Sequence, residues 1–176
     1  AKMFASFNSG DLRASEELAI STSKQYPHHP LAWKLLGAIY ERTEDLEKGI
    51  IALKNAIDID QKDYEVHHLM ARILYAIGHI ELSIISYRIA ISLAPNAPSI
   101  HNNLGVALQK LGNMEEAKLA YEQEISLENK GPDAFNNLGS VLKELGEYHL
   151  AETLFRQAIS LRQNFPEAHN NLGTVL

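Results

Sequence analysis

The sequence repeats itself with a period of 34 residues, and that period constrains the fold more than any single residue does. The string His101-Asn102-Asn103-Leu104-Gly105 recurs as Phe135-Asn136-Asn137-Leu138-Gly139 and again as His169-Asn170-Asn171-Leu172-Gly173. One period upstream of Gly105 stands Ala71, and two periods upstream Gly37, both small. Let Pro30, Tyr64, Pro98, Pro132 and Pro166 be position 1 of successive units. Gly37, Gly105, Gly139 and Gly173 then fall at position 8, and Gly10, Gly78, Gly112 and Gly146 at position 15. All six prolines fall at position 1 or, for Pro27 and Pro95, at position 32. An accidental period would scatter these residues.

Each unit reads as two helices. Proline is tolerated in the first turn of a helix and not inside one, so position 1 marks a helix start. Ile100, Leu104, Ala107, Leu108 and Leu111 follow the i, i+4, i+7, i+8 spacing of an amphipathic helix, and Gly112 is free to take the positive φ that ends it. Met114, Ala117, Ala120, Tyr121, Ile125 and Leu127 carry a second apolar face. No segment alternates as a strand bounded by hairpin turns. The pattern predicts helix A over positions 2–14 and helix B over positions 17–30 of every unit. It divides the chain into a partial unit (1–29), whole units at 30–63, 64–97, 98–131 and 132–165, and the opening helix of another at 166–176, all in one solenoid. The fold class expected is all-α, built of stacked antiparallel helix pairs.

Composition removes several functions. Of 176 residues, 45% are apolar, enough for a core, and 16 Lys+Arg against 22 Asp+Glu leave a charge of −6. A net acidic chain without a basic block does not suit nucleic acid or an anionic membrane surface, and no apolar run has the length of a spanning helix. The absence of cysteine excludes disulfides, thiol catalysis and Cys-based zinc sites. The adjacent pairs His28-His29 and His67-His68 point to different sides of a helix, so neither forms an i, i+4 ligand set. His67, His101 and His169 all stand at position 4, with Trp33 and Phe135, which assigns them to packing at the seam between repeats rather than to metal. No nucleophile elbow or phosphate loop occurs, and carboxylates such as Glu16-Glu17 and Glu115-Glu116 lie on solvated faces without a cleft to tune them. The chain is therefore read as non-catalytic, without cofactor or metal, and cytoplasmic.

At this point the residues carry a resemblance. Trp33-x₂-Leu36-Gly37-x₂-Tyr40 resembles the helix A signature of the tetratricopeptide repeat (TPR); Ala117, Tyr121 and Pro95 match its positions 20, 24 and 32, and Ala151, Phe155 and Ala158 its positions 20, 24 and 27. Gly49 and Ser83 at position 20, Glu124 at position 27 and Glu44 at position 15 depart from it, and are expected to loosen packing locally. The resemblance implies a right-handed superhelical solenoid whose concave wall is lined by positions 2, 5, 6, 9, 12 and 13 of helix A. Those positions carry five basic and five acidic residues, among them Lys34, Arg72 and Lys110, so the acidic excess lies elsewhere. They also carry the pairs Asn102-Asn103, Asn136-Asn137 and Asn170-Asn171. Asparagine is a mediocre helix former, and an amide that both donates and accepts suits the backbone of an extended peptide. This ladder is similar to the one lining the TPR region of O-linked N-acetylglucosamine transferases and their bacterial relatives, where position 6 grips substrate peptides; Asn103, Asn137 and Asn171 hold it here, while Leu35 and Leu69 interrupt it. The other reading of these amides is that they bridge neighbouring repeats. The family's clamp for a C-terminal carboxylate is poorly matched, since Lys34, Ala38, Leu69, Ser99 and Asn103 agree with it only at Lys34.

The function expected is a protein–protein interaction scaffold that takes an extended peptide or a partner protein in the helix A groove, through Asn102, Asn103, Asn136, Asn137, Asn170, Asn171, Lys34, Arg72 and Lys110. The alternatives are a substrate-recruiting segment of a larger bacterial glycosyltransferase or sulfotransferase, and a self-assembly module. The last helix lacks a partner helix B, so Leu172, Val175 and Leu176 predict either a continuing native chain or association of copies through the open C-terminal end.

Overall fold

The structure, a computed structural model describing residues 2–127 and 131–176, consists of helical hairpins at the repeat period, with helix A of most whole units over positions 1–13, one residue earlier than expected, and helix B starting at position 17. Among the described residues there are eleven helices and no strand, and no helix is long and apolar enough to cross a membrane. The chain divides into two compact units, Ala1–Ala94 and Pro95–Leu176. The first holds α1 (Lys2–Asn8), α2 (Leu12–Gln25), α3 (Pro30–Arg42), α4 (Leu46–Ile59), α5 (Tyr64–Ala76) and α6 (Ile80–Leu93). The second holds α7 (Ile100–Lys110), α8 (Met114–Ser126), α9 (Pro132–Glu144), α10 (Tyr148–Leu161) and α11 (Pro166–Gly173). Odd-numbered helices are the A helices and even-numbered ones the B helices. Within each unit A packs on its own B, and B packs on the next A. Contact between successive A helices sets them side by side within each unit, α3 with α5 in the first and α7 with α9 and α9 with α11 in the second.

The hairpins close at position 8. A Cβ added to Gly105 would lie 2.6 Å from the Tyr121 ring, and one added to Gly139 would lie 2.7 Å from the Phe155 ring. At Gly37 the obstruction is Leu53, at 2.3 Å. Each glycine thus makes room for the position 24 side chain of helix B, and those side chains are fully buried: Leu53, Tyr121 and Phe155 are 0% exposed. Position 15 reverses the chain between A and B with φ of +80° to +86° at Gly10, Gly78, Gly112 and Gly146. Glu44 is forced into the same left-handed region, φ 60°, at a steric cost that glycine would not incur.

A polar tether joins each helix A to the turn before it. Trp33 Nε1 donates to the Pro27 carbonyl at 2.9 Å. Nε2 of His67, His101 and His169 makes the same contact with the carbonyls of Gln61, Pro95 and Gln163, at 2.9, 2.8 and 3.0 Å. Of the position 4 histidines His67 is buried, His101 half-buried and His169 exposed, and all three satisfy a turn carbonyl that helix geometry leaves without an intrahelical donor.

Three departures from the repeat signature do not loosen the structure. Beside Gly49 the Ile73 methyl fills the space a Cβ would take, at 2.7 Å. Ser83, 0% exposed, turns its hydroxyl back onto the Ile80 carbonyl at 2.9 Å. Glu124, 5% exposed, reaches from α8 to the start of α7, where its carboxylate accepts from the Ser99 N–H (2.9 Å) and the Asn102 N–H (3.2 Å). A carboxylate there satisfies two otherwise free donors and complements the positive end of the helix dipole. With Ser99 at φ 65°, α7 starts at position 3, later than the proline alone predicts.

Glu44→Gly should raise stability by about 1 kcal/mol through relief of the left-handed strain, and Gly139→Leu should lower it by about 3 kcal/mol by forcing Phe155 from its slot. Urea denaturation followed by circular dichroism checks both. A Gly139→Leu chain as stable as wild type would contradict the close approach at position 8.

Candidate peptide-binding face

The A helices of each unit present the residues that the sequence assigns to binding, and the two units build this face differently. In the first unit the seam between A helices is apolar and ionic. Leu35 is 2% exposed and belongs to a core cluster with Met3, Leu36 and Ile39, so this position 6 side chain is core rather than open wall. Leu69 packs against the next cluster, around Leu53, Val66 and Ile73. Lys34, at position 5, bonds across the seam to Asp63 (2.9 and 3.2 Å) and pairs with Glu65. Burial works against its charge, but the two carboxylates outweigh burial and hold the ammonium above the usual lysine range. Arg72 Nε pairs with Glu41 at 2.9 Å. Burial raises the Glu41 carboxyl above its ordinary value, and Arg72 offsets part of that rise. Lys34 and Arg72 thus direct their charge into the seam between α3 and α5.

In the second unit the same seam is made of amides. Asn171 Nδ2 donates to Asn136 Oδ1 at 2.9 Å. Asn136 Nδ2 donates to Asn137 Oδ1 at 3.4 Å, and Asn137 Nδ2 to Asn102 Oδ1 at 3.1 Å. These bonds form one directed chain, Asn171 to Asn136 to Asn137 to Asn102, in which the two bonds between repeats donate toward the earlier repeat and the Asn136–Asn137 bond links them within one helix. Aligned amide dipoles of this kind polarise one another, so the chain is stiffer than separate pairs would be. Ser140 joins it, accepting from Asn171 Nδ2 at 3.3 Å and donating to the Asn136 carbonyl at 3.1 Å. Further along the helices, Gln109 Nε2 donates to Glu144 at 3.1 Å, Tyr121 OH to Gln109 Oε1 at 3.2 Å, and Lys143 Nζ to Thr174 at 3.3 Å.

The structure therefore brings Asn102, Asn136, Asn137 and Asn171 together and leaves Asn170 exposed at the end of the row. Asn103 is half-buried, Lys110 is exposed on the last turn of α7, and Asn136, at 8% exposure, is buried rather than surface-borne. Bridging does not exhaust the amides. An amide has two donor hydrogens and two acceptor sites, and Asn102 Nδ2 donates to no described residue, as Asn171 Oδ1 accepts from none. The chain of bonds ends in an open donor on one side and an open acceptor on the other. The pairing rule, position 6 of one repeat with position 5 of the one before, is visible in the sequence only as Asn-Asn doublets at the repeat period. Which neighbour each amide meets depends on the stagger between A helices.

His68, at position 5 of the second repeat, packs against the Tyr87 ring with centroids 5.9 Å apart. Burial, helped by the nearby Arg72 charge, pushes its pKa down to about 4. An unfolded chain takes up that proton at the ordinary histidine pKa of about 6.5, while the folded one refuses it until pH 4, so this contribution to stability is lost as pH falls between those values. Glu41, shifted upward, acts in the opposite sense, so the variant comparison isolates the histidine.

Models of the tetratricopeptide repeat match residues 5–64, 71–112, 98–130 and 139–176. None of the curated proteins matches the chain in sequence. Among solved structures it is similar to MamA, at 20% identity and a TM-score of 0.85 over 93% of this chain and 95% of that one. It is also similar to YrrB, a TPR protein with an unusual peptide-binding site, at 15% identity and a TM-score of 0.81 over 96% and 87%. A third is the pilF protein of Pseudomonas aeruginosa, at 23% and 0.77 over 84% and 67%.

Asn136→Ala should cost about 1–3 kcal/mol, because it strands the amides of Asn171 and Asn137, whereas the exposed Asn170→Ala should stay within about 0.5 kcal/mol. Urea midpoints measure both, and equal values would contradict the amide chain. Between pH 7 and 4.5 the wild type should lose more stability than His68→Gln.

Proposed function

The chain is built of tetratricopeptide repeats, a fold of protein–protein interaction scaffolds, and on that premise we propose that its second unit grips an extended peptide along α7, α9 and α11. The observation that carries the proposal is the directed amide chain from Asn171 to Asn102, with its open donor at one end and open acceptor at the other. A peptide backbone needs N–H and C=O partners whatever its side chains, and fixed amides supply both without the entropy of ordering them at the moment of binding. Asn103 and Asn170 extend the row, and Lys110 adds a cation at its rim. Lys34 and Arg72 serve the first unit's seam, so the binding row assigned here excludes them. The peptide-binding site of YrrB, a structural relative, is in keeping with this use of the fold.

For the groove, Asn102→Ala combined with Asn170→Ala should weaken binding of a pool of extended decapeptides at least tenfold, measured at a temperature where circular dichroism shows both chains folded, since loss of the Asn137 bond to Asn102 also lowers stability by about 1 kcal/mol. Fluorescence anisotropy reads the affinity. Unchanged affinity in the double variant would overturn the proposal. Salt should change the affinity little, since amides carry no net charge to screen.

A further inference from the structure

The first unit carries a second concave site that the helix A face does not use. Between α2 and α4, over the outer side of α3, lies a cleft of about 240 Å³ whose floor is Trp33, Leu36 and Tyr40 and whose walls are Ile20 and Ile51. An apolar void of roughly 150 Å³ suffices for a benzene ring, so this one accommodates a single bulky side chain. Its polar fittings are uneven. At the Tyr40 end, Lys48 pairs with Asp45 and lies 5.6 Å above the Tyr40 ring, with the Glu16 carboxylate beside the Tyr40 hydroxyl. At the Trp33 end, Lys24 closes the rim from the last turn of α2, exposed and without an ion pair to any described residue. One end is therefore charge-compensated and the other offers a lone cation.

From the apolar floor and the uncompensated Lys24 we infer that this cleft docks a partner polypeptide through one bulky apolar side chain, Phe or Leu, with an acidic residue next to it seated on Lys24. The geometry has the features of an interface anchor: an aromatic-lined pocket, an exposed aliphatic lip at Ile51 (61% exposed), and one charge that selects the flank of the incoming residue. A second copy of this chain and a neutral hydrophobe are the competing occupants. The charge argues against the neutral one, and protein concentration tests the copy.

Trp33 is the only tryptophan, so its fluorescence reports on the floor of the cleft directly. The probes are two octapeptides built on one Phe, with Glu residues on both sides in one and Lys residues in the other. Titrated into the full chain at low salt, the Glu-flanked peptide should shift the Trp33 emission and bind at least tenfold more tightly than the Lys-flanked one. Lys24→Glu should abolish that preference, and Ile51→Glu should weaken the Glu-flanked peptide at least tenfold. Both positions are exposed, so wild-type circular dichroism and urea midpoints verify that the variants fold. Trp33 emission that ignores both peptides, or a preference that survives Lys24→Glu, would overturn the inference. So would emission that changes with protein concentration alone.

Discussion

The close approach of helix A to helix B at position 8 is the contact on which the rest of the structure depends. A helix backbone without a Cβ at Gly105 or Gly139 lets the ring of Tyr121 or Phe155 lie directly on it, and the ring is thereby removed from water. Once this contact is made, the angle within the hairpin is determined, and with it the side of helix A left for the neighbouring repeat. The left-handed residue at position 15 and the tether from position 4 act on the same geometry from the two ends of helix A. Gly112 or Glu44 reverses the chain at one end, and Trp33 or His101 holds the turn at the other. The close contact keeps the ring out of water, and the polar contacts satisfy the backbone groups at the two ends of the helix.

The seam between A helices is solved twice in this chain. In the first unit Leu35 is buried and Leu69 partly so, and the charges pair, Lys34 with Asp63 and Glu65, Arg72 with Glu41. Such a seam is satisfied internally and leaves little unmet hydrogen-bonding capacity. In the second unit a chain of amides does the same mechanical work with polar groups that each retain further capacity. An amide row is less favourable for burial than leucine, because each amide must be bonded to be tolerated inside. The same property makes it suited to an incoming backbone. The asparagines bridge the repeats, and the open donor and acceptor at the two ends of their chain are what the proposed peptide contact would use.

The B helices bear on a different surface. The cleft between α2 and α4 is lined from α3 by Trp33, Leu36 and Tyr40. An amide row in one unit and an aromatic-lined cleft in the other have opposite chemistry, one polar and one apolar.

The sequence by itself determined the repeat, the helix boundaries and the position of nearly every buried small residue. Those properties depend on local geometry: proline and glycine act on their own backbone, and a period of 34 residues repeats the same local demands. It also placed Trp33, His67, His101 and His169 at one structural position, though their bond to the preceding turn is a matter of reach that only the folded chain shows. The partners of long polar side chains were not legible. Glu124 looked like an intrusion into a small-residue position, and became the cap of α7 because the fold brings that helix start within reach of its carboxylate. Lys34 and Arg72 looked like groove cations and proved to be tied to carboxylates of the adjoining helix. The asparagine doublets were visible, but their pairing by position 6 to position 5 was not. A helix surface offers each side chain several neighbours, and the stagger between packed helices, a tertiary quantity, decides which one it meets.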